Sequence, residues 1–238
     1  MEKLETVNIL ASWTRVAESP EWIATRTDEL LRNLSVALGI DDWHMLLPSR
    51  NLDDPEDPGG ERVPWAGDLP ALVRRSAMTD AFDSVGPDEG YSFGLHGRAS
   101  TGDDVTVSVD AGDHLVGRRI PRHRLSLELA AADGGKVDDG TAGILIKTAA
   151  QSFDPQIVER ISPALNKLAG RKGWQIRPSS HLWLHDDVLV DPELPRGMSA
   201  ERVGSGSLYS VPTDWTHEQV NAVHNDFRAL NGIDVLPH

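Results

Sequence analysis

Three consecutive stretches of period-two alternation constrain this chain more than any other feature. Tyr91, Phe93 and Leu95 interleave with Ser92, Gly94 and His96; Val105, Val107 and Val109 with Thr106, Ser108 and Asp110; Leu125, Leu127 and Leu129 with Ser126, Glu128 and Ala130. In a strand, alternate side chains point to opposite faces. Each stretch therefore collects its apolar groups on one side, the pattern of an antiparallel sheet with one face on a core and one in water. STGDD (100–104) supplies a hairpin turn between the first two.

Further strands are expected over 7–13, 43–47, 181–185 and 207–211. Helices fit between them. Ser19 can cap a helix, Pro20 suits its first position and Glu21 complements its dipole. Ile23, Leu30, Leu31, Leu34 and Leu38 share one side of that helix and Gly39 ends it. Asp68 caps a shorter helix through about Thr79. The stretch 139–152 is long enough to favour helix over strand, and a further helix over 163–169 is closed by Gly170. Thr216 and Gln219 form a capping box before a last helix whose buried stripe is Val220, Val223, Phe227 and Leu230. The expected fold is α+β: a central, mainly antiparallel sheet flanked by helices, in one domain over 1–238. Residues 51–64, with three prolines, two glycines and five acids, read as a long surface loop of that domain.

Composition narrows the chemistry. The 238 residues include no cysteine, which removes disulfides, thiolate catalysis and cysteine-ligated metals and fits a reducing cytoplasm. No apolar run nears the ~18 residues of a membrane span, and the first residues lack the basic-then-apolar pattern of an export signal. With 23 Lys and Arg against 37 Asp and Glu, the net charge of −14 argues against direct nucleic-acid binding, which needs clustered cations. Between positions 41 and 113 there are 16 acids and 5 arginines, a net of −11, whereas Arg118, Arg119, Arg122 and Arg124 form a small basic knot. Such a distribution is either a solvated face with a counter-charged loop or a surface matched to a basic partner.

Candidate catalytic groups are sparse. HLWLHDD (181–187) could bind metal through His181, His185 and Asp186. On a strand, however, the two imidazoles stand roughly 13 Å apart along the chain, too far to share one ion. GSGS (204–207) lacks the lysine of a phosphate loop and the spacing of a nucleophile elbow, so it reads as a turn. Most of the paired carboxylates, among them Asp41–Asp42 and Asp103–Asp104, lie in polar or turn-like stretches where they are simply solvated. Of seven tryptophans, Trp13, Trp22, Trp43, Trp174 and Trp183 fall in expected strands or helices as core, whereas Trp65, beside the acidic loop, is a candidate interface anchor.

The order of several short motifs resembles a known family. ASWTR (11–15) is followed by ESPEW (18–22) and a long helix, then by a strand with Trp43. GYSFGLHG (90–97), VTVSVDAG (105–112) and RLSLELA (124–130) come next. In this order the chain is similar to the immunity protein 52 family of bacterial polymorphic toxin systems. The resemblance implies a cytoplasmic antitoxin without catalysis or cofactor. Its partner would be a cognate toxin with a restriction-endonuclease-like DNase domain, bound so that the basic active site is occluded. On that reading the toxin-facing residues are Asp53, Asp54, Glu56 and Asp57 of the acidic loop, Trp65 beside it, and Asp103 and Asp104 at the turn. The rivals are a small metal-dependent hydrolase using His181, His185 and Asp186, and an acidic protein-binding adaptor.

Overall fold

A computed structural model describes residues 6–46, 61–78, 89–132, 134–135 and 137–238. Along the chain run β1 (Thr6–Trp13), α1 (Pro20–Leu38), β2 (Trp43–Leu46), β3 (Arg62–Pro64), α2 (Leu69–Arg75), β4 (Tyr91–Arg98), β5 (Asp104–Ala111) and β6 (His123–Ala130). They are followed by α3 (Asp139–Phe153), β7 (Ile157–Ile161), α4 (Pro163–Ala169), β8 (His181–His185), β9 (Ser199–Val203), β10 (Gly206–Ser210) and α5 (His217–Asn231). The described strands form one sheet in the order β3-β2-β4-β5-β6-β1-β7-β8-β10-β9. Neighbours in it pair antiparallel throughout. The expected α+β class is what the chain adopts.

Two cores lie on opposite sides of this sheet. In the first, Val7, Ile9 and Ala11 of β1, Phe93 and Leu95 of β4 and the alternating Val and Leu residues of β5 and β6 pack under α1, α2 and α3. Val158, Trp183 and Leu208 continue that layer into the other half of the sheet. Ile157, Leu182, Leu184 and Tyr209 point the other way and are covered by Leu165 of α4 and by Val220, Val223 and Phe227 of α5. The half made of β7, β8 and β10 is thus buried on both sides, and the half from β2 to β6 on one.

Local chemistry explains the helix ends. The Ser19 hydroxyl accepts the Trp22 N–H at 3.2 Å, and Gly39 closes α1 at φ 65°, where a side chain would be strained. Asp68 caps α2 and Thr216 with Gln219 forms the capping box of α5. Three expectations need correction. The helix begun at Asp68 ends at Arg75, because the Ser76 hydroxyl turns back onto the Val73 carbonyl at 2.7 Å and Ala77 bridges to Tyr91. Residues 62–64, expected in the loop, form the edge strand β3, since Val63 is buried opposite Met45; Pro64 is tolerated there because an edge strand has a free side. Residues 51–60 of that loop lie outside the described residues, as does Thr79. Finally, Leu230 is 47% exposed in the last turn of α5, and the buried side of that helix holds His224 and Arg228 instead.

His224 yields a test of this second core. Its ring is buried, with Nε2 2.6 Å from the Ser179 carbonyl. Burial, opposed by that hydrogen bond and reinforced by Arg228, pushes its pKa down to about 4 from 6.5. The unfolded chain therefore binds a proton that the folded one refuses between these values. Stability is full above pH 6.5 and falls as the pH drops towards 4, by on the order of 3 kcal/mol from this group. Urea unfolding from pH 7 to pH 4.5 should show that slope, and His224→Gln, which does not titrate, should flatten it. Equal slopes in both proteins would rule His224 out as its source.

An uncovered sheet face as candidate functional site

Among the described residues, the polar half of each alternating strand meets no helix. The registers of β1, β6, β5, β4 and β2 align Leu10, Ser126, Ser108, Gly94 and Leu46 in one row across the sheet. Asn8, Glu128, Thr106, His96 and His44 form the next row on one side; Arg124, Asp110 and Ser92 lie on the other. None of these thirteen residues is buried. At about 4.8 Å per strand the middle row runs roughly 19 Å. Its central members are glycine and serine, so it forms a shallow trough between taller polar side chains.

Charges within this face are largely paired. Arg124 donates to Asp110 at 2.6 Å, Ser92 donates to the same carboxylate at 2.6 Å, and Arg98 reaches Asp104 at 3.2 Å. Arg62 lies 3.3 Å from His44 Nδ1. His96 Nδ1 is 3.2 Å from the Thr106 hydroxyl. Asp41 and Asp42, with His44, Arg62, His96, Arg98, Asp104 and Thr106, line an open cleft of about 930 Å³ at one end of the face.

The two ends differ in sign. β5 runs the length of the face, so its preceding turn and following loop stand at opposite ends, about 24 Å apart at the rise of an antiparallel strand. Asp41, Asp42, Asp103 and Asp104 gather at the first end. At the second are Arg118, Arg119, Arg122 and Arg124, of which Arg122 pairs with Asp113 and Arg124 with Asp110.

The sequence-derived candidates are dispersed by this geometry. Asp104 stands on the open face beside Arg98. Asp103 is turned inward: its carboxylate accepts the Thr101 hydroxyl at 2.7 Å and the Ala132 N–H at 2.9 Å, and its carbonyl accepts the Ala99 N–H at 2.9 Å. Trp65 lies on the helix-covered side, half-buried and stacked on Phe93 with ring centroids 5.9 Å apart. Asp53, Asp54, Glu56 and Asp57 fall outside the described residues. The three residues of the hydrolase reading are each otherwise engaged. His181 is buried beside Ser180, and burial pushes its pKa down. His185 accepts the Asp187 N–H at 2.9 Å, and Asp186 is clamped by Arg202. Among the described residues no group of three His, Asp or Glu side chains could hold a metal ion. Gly204 and Ser205 make the turn between β9 and β10.

Sequence reasoning did not single out Thr106, Ser108, Ser126 and Glu128. Their positions were nonetheless written in the alternation that identified the strands, as its polar half.

No family model matches this chain, and no curated protein does. Among solved structures the fold is similar to the Pseudomonas aeruginosa T6SS protein PA0821, at 11% identity and a TM-score of 0.49, over 94% of this chain and 73% of that one. A likeness at that level says nothing of activity.

The adjacent aspartates at the turn should separate in a stability measurement. Asp103→Ala removes two acceptor contacts, one to Thr101 within the turn and one that ties the turn to residue 132, and should cost about 1–2 kcal/mol in urea unfolding. Asp104→Ala should stay within about 0.5 kcal/mol of wild type, as an exposed pair contributes little. Equal losses would place both residues in the same role.

Proposed function

We propose that this chain is an immunity protein that binds a cognate nuclease toxin and occludes its active site, with the uncovered sheet face as its docking surface. The observation that carries the reading is the face itself. Among the described residues, strands β2, β4, β5, β6 and β1 present a largely polar, uncovered surface on one side while their other side is sealed by helices. The motifs that resemble the immunity protein 52 family support it further: ASWTR overlaps the end of β1, and GYSFGLHG, VTVSVDAG and RLSLELA lie largely in β4, β5 and β6. The stretches that carry the resemblance thus build the surface.

The acidic end of the face, with Asp41, Asp42 and Asp104, complements a site that must be basic to hold DNA. Complementary charge of this kind speeds encounter and sets orientation. No catalytic group or cofactor of this chain is needed. The reading places the protein in the cytoplasm; no helix among the described residues is long and apolar enough to cross a membrane.

Two substitutions test it with the C-terminal domain of the toxin encoded beside this gene. Ser108→Trp fills the centre of the trough from an exposed position. It should weaken binding by at least about 100-fold in calorimetric titration while leaving the melting temperature little changed. Asp104→Lys should slow association severalfold at low salt and flatten its salt dependence, because rim charges act mainly on the on-rate. Wild-type affinity in Ser108→Trp would move the interface off this face, and failure of the wild type to bind the toxin domain would remove the immunity reading.

A further inference from the structure

The loop between β5 and β6 combines two properties that do not ordinarily coincide: it is pinned along its length, and it turns large aliphatic groups to water. The pinning starts from a buried carboxylate. Glu18 accepts the Trp13 indole N–H at 2.6 Å and the Gly112 N–H at 2.9 Å, and it lies 3.2 Å from the buried His123 ring. The other nitrogen of that ring is 3.2 Å from the Leu115 carbonyl. Asp113 accepts the Leu115 N–H at 2.7 Å and binds Arg122, whose own N–H returns to the Val116 carbonyl at 3.1 Å. Val116 packs into the second core, so the loop folds towards the side of the sheet that carries α5 and the open face. Gly173 closes the contact from beneath: a side chain there would meet the Arg119 carbonyl at 2.2 Å. Only glycine lets the two backbones approach this closely.

Against that rigidity, Leu115 is 59% and Ile120 55% exposed. Arg118 and Arg119 beside them are exposed and make no ion pair among the described residues. A free loop would relax to bury two such aliphatics, but this one is held from doing so.

We propose that the 115–120 loop is a preformed anchor that inserts Leu115 and Ile120 into an apolar pocket of the toxin protein, with Arg118 and Arg119 meeting carboxylates on the pocket's rim. The inference rests on the immunity reading and adds a second contact of opposite charge to the acidic end of the face. Charge complementarity selects the occupant. On a chain of net charge −14 this is a cationic knob. A polyanion such as DNA would be repelled by the rest of the surface and would offer the aliphatic tips nothing, whereas an acid-rimmed protein pocket satisfies both. Arginine is enriched in interface hot spots, and the buried centre of an interface is more apolar than its rim. A loop already fixed in place loses little entropy when it binds.

The test is titration of the same toxin domain with wild type, Arg118→Glu/Arg119→Glu, Leu115→Ser/Ile120→Ser, and Val36→Ser, an exposed aliphatic on α1. Both loop variants should bind at least about tenfold more weakly. The charge reversal should show chiefly in association and in its salt dependence, and the aliphatic pair in dissociation. Val36→Ser should match wild type. All four side chains of the loop are exposed, so melting temperatures should be unchanged; Ile120→Ala alone, a milder truncation, gives the same reading should a double variant unfold. Wild-type binding with unaltered affinity in both loop variants would overturn the anchor and leave the immunity reading standing. Failure of the wild type itself to bind would remove that reading and the anchor with it. Capture of duplex DNA or anionic vesicles by wild type, lost on Arg118→Glu/Arg119→Glu, would also overturn the anchor in favour of a polyanion site.

Discussion

β1 is hydrogen-bonded along both edges, to β6 on one side and β7 on the other, and the rest of the molecule depends on that double pairing. It is the only described strand joining the half from β2 to β6 with the half from β7 to β10. Val7, Ile9 and Ala11 anchor it in the first core, so a slip of one residue would turn these apolar groups onto the polar face. The partners are distant in sequence, Val7 opposite Leu129 and Leu10 opposite Glu159, so the strand closes long loops before its contacts repay them. Where β1 ends, Trp13 hands over to Glu18. Burial works against ionisation of that carboxyl, but the hydrogen bonds and charge of His123 and the indole of Trp13 prevail and hold it below the ordinary range. One buried anion thereby joins the end of β1 to the start of β6.

Why one half of the sheet is left open follows from how its strands are connected. A sheet face is covered by whatever chain lies between the strands. β4, β5 and β6 are joined by a tight turn and by the 112–122 loop, neither of them helical, so these connections bring no helix to the polar side. β6, β7 and β8 are separated by α3 and α4, and α5 follows β10. Those three helices cover both sides of the second half. The polar residues of β4, β5 and β6 accordingly occupy the side that the topology leaves wet.

The same asymmetry decides what could be read from the sequence. Period-two alternation exists only where one side of a strand is wet, and it located β4, β5 and β6 together with the polar residues of the candidate site. β7 lacks it because Ile157, Val158 and Glu159 are all buried between two layers. β9, SAERV, is exposed along most of its length and owes its existence to pairing with β10. Neither carries a local pattern that would have identified it. Helix caps were legible because they are made by residues adjacent in sequence. Trp65 was not, because its stacking on Phe93 crosses the gap between two strands that only the fold brings near. Nor could the sequence distinguish Asp103 from Asp104: one step along the chain reverses the direction of the side chain, so the first is spent on the turn and the second faces solvent.

Charges on the open face divide into two kinds with different physical consequences. Asp110 with Arg124 and Asp104 with Arg98 are already paired. Burying a charge that keeps its partner costs far less than stranding one, so these pairs can be desolvated by a partner that supplies only a few hydrogen bonds. Among the described residues the unpaired charges are Glu128 within the face and, at its ends, Asp41 and Asp42 at one and Arg118 and Arg119 at the other. They act through solvent over a Debye length of about 8 Å at physiological salt. An electrostatic dipole across the face fixes the direction in which a complementary surface arrives, which a uniformly acidic face cannot do. The excess of acids between positions 41 and 113 thus matters less as a total than through its separation from the arginines of the following loop. A partner reversed end for end would meet like charge at both.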